Sequence, residues 1–172
     1  MLKIYYMPRN GQSGSAAVYS LLEHVFSAEY GESFPAIKKT PIGKPYFPDR
    51  PDVHFSLSHT MTHVLCAIAD NPVGADIESP RRLSERAVRY FCSPEELSHF
   101  DPLDLWVLKE SHIKLIGGTL SLVKSLQFSR ENGKIITPDK SSSSKLYRIG
   151  DCRAALSAFC TDLPDSAIGI LP

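Results

Sequence analysis

The sequence has no net charge and no long apolar run, and its first residues do not predict a signal peptide. Its 19 lysine and arginine residues equal its 19 aspartate and glutamate residues, so no overall charge favours a nucleic acid or a membrane surface as partner. No stretch approaches the ~20 apolar residues that a membrane span needs, and the polar-interrupted start is too short for a signal peptide. We therefore expect a cytoplasmic protein that binds neither nucleic acid nor membrane, and any anion site must be local.

The sequence also lacks a paired-cysteine motif. Its cysteines are Cys66, Cys92, Cys152 and Cys160, and no two of them form a CxxC pair. This spacing argues against a zinc knuckle and gives no support to a disulfide framework. Reduced thiols, as in cytosolic proteins, are the interpretation we favour.

The first half of the chain predicts strands and one helix. Apolar residues at helical spacing predict a helix from about Ser15 that stops before Gly31, and the prolines of residues 40–52 predict a rigid loop. The predicted strands are Leu2–Met7, Val53–Ser58, Val64–Ala69 and Val73–Glu78.

The second half of the chain begins with two helices whose ends are marked by capping residues, proline and glycine. Ser93-Pro94-Glu95-Glu96 is typical of a capping box, and a second helix is predicted from Pro102 to Ile116, ending at Gly117-Gly118. Weaker strands are predicted at Ser125–Ser129, Leu146–Ile149, Ala154–Phe159 and Ala167–Leu171.

Three residues at successive steps of four, Trp106, Glu110 and Lys114, form one stripe on the second of these helices. The simplest interpretation is a surface Glu110–Lys114 ion pair with a tryptophan packed above it, and such pairs are common and weak. Taken alone, the stripe is therefore weak evidence for a functional site.

Asp76 and Glu78 project to the same side of a short apolar strand, because positions i and i+2 share a face. Two carboxylates so placed repel each other unless water or a cation lies between them. Solvated acids at a strand end are one interpretation. The other is a magnesium site, which Glu110 could complete as a third carboxylate.

Two further features of the sequence are the Ser58-His59 pair and Lys44. Ser58 and His59 are adjacent in a strand, so they face opposite ways and make a poor nucleophile–base pair, and the chain has no GxSxG motif. His59 is either bonded within a turn or contacts a phosphate. Lys44, between Gly43 and Pro45, is either a solvated lysine or a pre-positioned phosphate ligand.

The order of these motifs is more specific than any one of them. Along the chain stand Gly43-Lys44-Pro45, Ser58-His59, Gly74-Ala75-Asp76-Ile77-Glu78 and the helix segment Trp106 to Lys114. This succession of GKP, SH, GxDxE and WxxKExxxK resembles the 4'-phosphopantetheinyl transferase superfamily, in particular its surfactin-type, two-lobed monomeric branch.

The resemblance implies a magnesium-dependent enzyme that transfers 4'-phosphopantetheine from coenzyme A to a serine of an apo carrier protein (acyl, peptidyl or aryl) and releases 3',5'-ADP. Asp76, Glu78 and Glu110 match the metal ligands, and Glu110 also matches the general base. Lys114 matches the residue that stabilises the departing phosphate. The residues that match coenzyme A contacts are Lys44, Pro45, Ser58 and His59.

For the fold, the resemblance implies an α+β monomer of two similar lobes, residues 1–71 and 72–172, each a small antiparallel sheet packed on a helix. The active site would lie in the cleft between the lobes.

Three alternatives stay open. A silent relative would bind coenzyme A or a carrier without transfer, and the absence of arginine and lysine from Gly11 to Gly31 favours it. A different magnesium phosphotransferase or hydrolase would use the same three acids without a carrier protein. In a plain structural domain, all of these residues would be ordinary surface residues without a catalytic or binding role.

Overall fold

The computed structural model describes residues 1–170 of the 172-residue chain. Two small sheets, each packed on one long helix, make up most of this region, which confirms the predicted α+β class. The helices are α1 (Gly14–Tyr30), α2 (Glu85–Phe91), α3 (Pro94–His99) and α4 (Pro102–Ile116). The strands are β1 (Leu2–Pro8), β2 (Lys38–Lys39), β3 (Pro45–Tyr46), β4 (His54–His59), β5 (His63–Ala69), β6 (Val73–Glu78), β7 (Ser129–Glu131), β8 (Lys134–Ile136), β9 (Ser143–Ile149), β10 (Cys152–Ala158) and β11 (Ile168–Gly169).

The first sheet has the strand order β11-β1-β5-β4 and packs on α1. The helix forms where apolar side chains recur at helical spacing, and Leu21, Leu22 and Val25 are completely buried against the sheet. Ser13 caps its start, which the sequence analysis did not identify, and Gly31 ends it in the left-handed conformation, as predicted. Strand β11 pairs in parallel with β1, so the chain returns to the first sheet near residue 168.

The second sheet has the order β6-β10-β9 and is crossed by α4. The predicted bounds of α4 are confirmed. Asp101 accepts a hydrogen bond from the Leu103 amide, Pro102 occupies the first turn, and Gly117 ends the helix at φ 65°. The predicted capping box of α3 is also present.

Two serine hydroxyls join the edge strands of the two sheets, β4 and β6. The Ser56 hydroxyl accepts a hydrogen bond from the Ala75 amide at 2.9 Å, and the Ser58 hydroxyl accepts one from the Ile77 amide at 3.3 Å. These amides lie on the outer edge of β6 and would otherwise lack a strand partner. The alternating serines of β4 therefore connect the sheets where their backbones are not paired.

The structure differs from the predicted elements in three places. Within the predicted loop 40–52, Pro45–Tyr46 pairs with Lys38–Lys39 as a two-residue ribbon. The predicted strand Ser125–Ser129 is wrong: a 3₁₀ helix (Leu120–Leu122) and turns precede Ser129, where β7 begins. Helix α2 was not predicted, because its short segment is fixed by tertiary packing of buried Phe91 against Trp106. In the last predicted strand, Leu171 lies outside the described residues.

Neither a membrane-spanning helix nor a disulfide was predicted from the sequence. Within residues 1–170, no helix is both long and apolar enough to cross a bilayer. All four cysteines belong to this described region, and each is a free thiol.

The backbones of α4 and β6 are in close contact at Gly74. A Cβ atom at this position would overlap the Ser111 carbonyl oxygen and the Leu115 amide nitrogen, both of the α4 backbone. Backbone atoms cannot rotate away as a flexible side chain does. Glycine in the GxDxE motif is therefore the residue that lets α4 lie directly on the strand that carries Asp76 and Glu78.

We predict that Gly74→Ala lowers the free energy of unfolding by about 1–3 kcal/mol or more, because helix and strand must separate to admit the methyl group. Urea denaturation measures this change. Gly118→Ala is the matched control: its Cβ would meet side-chain atoms alone, the end of Leu122 at 2.6 Å, which can move, and Ile116 at ordinary contact distance. A Gly74→Ala variant as stable as the Gly118→Ala variant would contradict the assigned role.

Candidate active site

The predicted stripe of α4 faces β6 and β4 and is not a surface stripe. Glu110 and Lys114 form no ion pair with each other among the described residues. Instead, the Lys114 ammonium lies 2.6 Å from Oδ1 of Asp76, whose side chain is 8% exposed. The stripe therefore belongs to the contact between α4 and the two edge strands.

Lys114 connects three elements through one ammonium group. Its Nζ donates to Asp76 Oδ1 at 2.6 Å, to the Ala75 carbonyl at 3.1 Å and to the Leu57 carbonyl at 3.4 Å. The three hydrogens of the ammonium thus have three oxygen acceptors on β4 and β6. Lys114 consequently fixes the rotation of α4 relative to both sheets.

The Asp76 carboxylate accepts hydrogen bonds from β4 and from α4. The Ser58 hydroxyl donates to its Oδ1 at 2.7 Å, and Lys114 donates to the same oxygen. The Ser58 hydroxyl therefore donates to the Asp76 carboxylate and also accepts from the Ile77 amide on the edge of β6. This position of Ser58 explains the serine of the SH motif without any role as a nucleophile.

Glu110 is half-buried and receives no hydrogen bond from residues 1–170. The pKa of its carboxyl group is raised to about 7, mainly by burial and then by the negative charge of Asp76, with a smaller contribution from Glu78, while the Lys114 ammonium opposes the rise. Glu110 is thus near enough to both acids to be repelled by them. A proton or a bound cation would stabilise a carboxylate in this position, because either one removes the repulsion.

Glu78, at the end of β6, is held by two donors. The Trp106 indole donates to its Oε1 at 3.0 Å, and Arg81 donates to the same oxygen at 3.2 Å. The first and last residues of the α4 stripe therefore each bind one acid of β6. The sequence predicted that these residues share a face, but not that Trp106 and Lys114 pair with the two acids.

Asp76, Glu78 and Glu110 are the candidate metal ligands. Across residues 1–170, no three or more His, Cys, Asp or Glu side chains lie close enough together to hold a metal ion. Asp76 is neutralised by Lys114 instead. The chemistry of the donors nevertheless suits Mg²⁺, because Asp76, Glu78 and Glu110 offer hard oxygens whose mutual repulsion a divalent cation would relieve.

Lys44 lies beside the C-terminal end of α4. Its Nζ donates to the Lys114 carbonyl at 2.5 Å and is 3.4 Å from the Val73 carbonyl. Burial and the nearby Lys114 ammonium both lower its pKa. The lysine of the GKP loop therefore ties this loop to α4 and β6 while placing positive charge near Lys114.

An open cavity lies between the GKP loop, β4 and the end of α4. Lys44 and Lys114 both line it, as do Pro45 and the glycines Gly117 and Gly118. Two ammonium groups in one cavity wall make this the cationic part of the site.

His59 lies at the other end of β4, beside the start of α1. Its ring covers Gly14, where a Cβ would be 2.5 Å from His59 Nδ1. Glycine at the first position of α1 therefore makes room for the imidazole. His59 is exposed, so its ring is accessible to solvent beside the N-terminus of this helix.

A buried ion pair next to the site escaped the sequence analysis. Lys109, 0% exposed, donates to Glu96 Oε2 at 2.9 Å and to the Phe91 carbonyl. The other carboxylate oxygen, Glu96 Oε1, accepts from the Phe128 amide. The pair holds α3 and α4 together one residue before Glu110. The available signal was Glu96, which the sequence analysis treated only as a capping residue.

We predict that Glu110→Gln makes the apoprotein more stable at high pH. The raised pKa means that protonated Glu110 stabilises the fold fully below its ordinary pKa of 4.5, and that this stabilisation is lost as pH rises through about 7. Glutamine mimics the protonated form at every pH. Urea denaturation in chelator-treated buffer should show the variant gaining on wild type above pH 7 and matching it below pH 4.5. The exposed Glu131→Gln is the control, and a pH-independent difference at Glu110 would contradict the prediction.

Comparison with known proteins places this geometry in a family. A model of the 4'-phosphopantetheinyl transferase superfamily matches residues 72–160, the region that carries Asp76, Glu78, Glu110 and Lys114. The chain is similar to 4'-phosphopantetheinyl transferase Sfp of Bacillus subtilis, with 40% identity over 90 residues that cover 46% of this chain and 40% of that protein.

Two other relatives extend the likeness. The 4'-phosphopantetheinyl transferase gsp of Aneurinibacillus migulanus is 35% identical over 92 residues, which cover 46% of this chain and 37% of its own length. The 4'-phosphopantetheinyl transferase psf-1 of Bacillus pumilus is 31% identical over 139 residues, 73% of this chain and 60% of that one. The chain thus spans less than two thirds of the relatives it matches. With a family model matched over more than half of its residues, and with the predicted motifs gathered around α4, the chain belongs to the 4'-phosphopantetheinyl transferase superfamily.

Proposed function

We propose that this protein transfers 4'-phosphopantetheine from coenzyme A to a serine of an apo carrier protein in a magnesium-dependent reaction. The observation that carries the proposal is the half-buried Glu110, whose pKa of about 7 is set by burial and by two neighbouring acids on β6. Perturbed carboxylates beside a paired lysine are typical of catalytic sites. We further propose that the protein acts as a cytoplasmic monomer whose lobes meet near residue 71.

Glu110 is the proposed general base. A serine hydroxyl has a high pKa, so its proton must be accepted as the new bond to phosphorus forms. A carboxylate with a pKa of about 7 is partly ionised at neutral pH and holds a proton more strongly than an ordinary glutamate. It accepts the serine proton directly or through one water.

The reaction balances without a further reagent. The serine oxygen forms a bond to the phosphorus that carries the pantetheine arm, and the bond from that phosphorus to the bridging pyrophosphate oxygen breaks. The electron pair of the broken bond leaves on 3',5'-ADP, and the serine proton goes to Glu110.

Asp76, Glu78 and Glu110 are the residues proposed to hold Mg²⁺. The bound cation would neutralise negative charge on the pyrophosphate, as in other phosphoryl transfers. Asp76 is paired with Lys114 at 2.6 Å, so cation binding and Lys114 compete for the same oxygen. We propose that substrate binding exchanges these partners, with the ammonium moving from Asp76 to a phosphate.

Lys114 and Lys44 are the proposed cationic contacts of the leaving phosphate. Both line the cavity beside the end of α4, so their charges act on the same group. His59 is the proposed contact near the start of α1, where helix N–H groups also favour an anion. Pro45 and Ser58 are proposed to shape this side of the coenzyme A site.

A silent relative is the second candidate, and a specific feature supports it. Helix α1 carries no lysine or arginine, so the first lobe offers little charge to a nucleotide phosphate from this helix. Coenzyme A binding without transfer would support this candidate.

The transfer assay decides between the two candidates. We predict that wild type with coenzyme A and Mg²⁺ adds one phosphopantetheine mass to at least one apo acyl, peptidyl or aryl carrier protein. Glu110→Gln should lower the rate by about 10²–10⁴-fold, because the general base is lost while the fold is retained. Intact-protein mass spectrometry measures the product, and Glu131→Gln is the matched exposed control. Wild-type rates from Glu110→Gln would remove it as both base and ligand.

A second variant tests the metal assignment. We predict that Asp76→Asn raises the Mg²⁺ concentration needed for half-maximal rate by about tenfold or more, because one anionic oxygen ligand is lost. Titrating Mg²⁺ at saturating coenzyme A measures this. Asp162→Asn makes the same chemical change at an exposed position. If Asp76→Asn shows the metal dependence of the control, Asp76 is not a ligand.

A further inference from the structure

The face of the second sheet that contacts α4 carries a row of small residues. Ser144 of β9, Ser157 of β10 and Gly74 of β6 are direct partners in the strand pairing, so they share one face of the sheet. The α4 backbone touches Gly74, so this row lies under the helix. Ser157 is completely buried and Ser144 is 9% exposed. A buried hydroxyl is costly unless it is hydrogen-bonded, and both serines have such partners.

The two serines form one hydrogen-bonded chain with Ser111 of α4. The Ser144 and Ser157 hydroxyl oxygens are 2.7 Å apart, and those of Ser157 and Ser111 are 2.8 Å apart. The Ser111 hydroxyl, also completely buried, donates its one hydrogen to the Leu108 carbonyl at 2.9 Å. Ser111 must therefore accept from Ser157, and Ser157 must accept from Ser144. All three hydroxyls thus donate in the same direction, from β9 through β10 to the α4 backbone.

The chain ends at the part of α4 that carries Glu110. Leu108 and Ser111 stand on either side of Glu110 in the sequence. The Ser111 carbonyl lies against Gly74 of β6, while the Ser111 hydroxyl is bonded to Ser157 of β10. One residue of the helix therefore contacts two neighbouring strands. A movement of α4 along or across the sheet would break the hydrogen bond to Ser157.

The other polar contacts of α4 to β6 involve residues of the candidate active site. Lys114 binds Asp76, and Trp106 binds Glu78. In the proposed reaction Lys114 leaves Asp76 for a phosphate, and Glu78 binds the cation, so both contacts change when the substrate binds. The three serines carry no charge, and none of them belongs to the proposed binding site. Their contact with α4 is therefore independent of the substrate.

We propose that the Ser144–Ser157–Ser111 chain is a positioning device, which fixes α4 on the second sheet and holds Glu110 in place while Lys114 changes partners. This inference rests on the proposed transfer function. A general base must lie within hydrogen-bond reach of the proton that it accepts, and a displacement of about 1 Å can lower a rate roughly 10²-fold. Hydrogen bonds that run in one direction polarise and strengthen one another, which suits the chain to this role.

The test removes the hydroxyl groups singly and together. Ser157→Ala leaves the Ser144 hydroxyl without its acceptor and the Ser111 oxygen without its donor. The variant Ser111→Ala/Ser144→Ala/Ser157→Ala, called the triple variant below, removes all three hydroxyls and leaves none of them unpaired. Ser142→Ala is the matched control, because Ser142 is 8% exposed and its hydroxyl donates to the Asp139 carbonyl in its own loop.

The first measurement is stability in urea. We expect Ser157→Ala to lower the urea midpoint by about 0.5 M or more, because it leaves buried polar groups unsatisfied. The triple variant should return close to the wild-type midpoint, because all members of the chain are removed together. The two variants thus differ in stability, although both lack the chain.

The second measurement is the fluorescence of Trp106, the one tryptophan of the sequence, in the folded apoprotein. Its indole donates to Glu78, so its emission reports where α4 lies on β6. We expect Ser157→Ala and the triple variant to shift the emission maximum to the red, because a displaced indole loses Glu78 and gains contact with water. Ser142→Ala should keep the wild-type emission.

The third measurement is transfer to an apo acyl carrier protein. We expect both Ser157→Ala and the triple variant to lower kcat about tenfold or more. The KM for coenzyme A should stay close to wild type, because Lys44 and His59 lie on other elements. A triple variant that regains wild-type kcat and emission together with its stability would refute the proposal, since the serines would then act on stability alone. If Ser157→Ala does not fold, the triple variant decides, and Ser144→Ala should give a smaller effect of the same sign.

Fluorescence and transfer separate the two proposals. The emission shift is measured without substrate, so it tests the position of α4 even if no carrier protein is modified. A red shift in Ser157→Ala and the triple variant, with no transfer by wild type, upholds the anchoring of α4 and refutes the proposed function. Transfer by wild type, with kcat or emission unchanged in both variants, refutes the positioning role alone.

Discussion

The close approach of α4 to β6 is the constraint on which the rest of the site depends. Gly74 allows the two backbones to meet, and any side chain at that position would overlap the Ser111 and Leu115 backbone. Lys114 then reaches across to Asp76 and to carbonyl oxygens of β6 and β4, while Trp106 reaches Glu78. Glu110, between these two bonded residues, has no such partner within the described chain. Because the three residues are spaced four apart, Trp106 and Lys114 each bind an acid of β6, and the carboxylate of Glu110 lies between them without a hydrogen-bond partner in the described chain.

The polar groups in this region share their hydrogen bonds among several partners. Asp76 shares its oxygen between Ser58 and Lys114, and Lys114 divides its hydrogens among three acceptors. The Lys44 ammonium, on the α4 end carbonyl, adds a second positive charge to the same cavity. In the proposed reaction, a pyrophosphate would give Lys44 and Lys114 a second anionic partner, and its cation would relieve the repulsion of Glu110 by Asp76 and Glu78.

The sequence predicted elements well where local signals were strong. Proline and aspartate at the start of α4 and glycine at its end define the same residues that the structure shows, and the short apolar strand Val73–Glu78 is also as predicted. Helix α2 was not predicted: its seven residues are too few for a clear hydrophobic period, although Ser84 caps its start, and Phe91 at its end packs against Trp106. The partners of Ser58 and Lys114 are likewise tertiary contacts between residues far apart in sequence, which no local pattern encodes.

The measurement that tests the central claim most directly is a crystal structure of the complex with coenzyme A and Mn²⁺ in place of Mg²⁺. The account predicts an anomalous scattering peak contacted by the carboxylates of Asp76, Glu78 and Glu110. It also predicts that the Lys114 ammonium has left Asp76 for a phosphate oxygen. Coenzyme A bound elsewhere, or bound here with Lys114 still on Asp76 and no cation among the three acids, would contradict it.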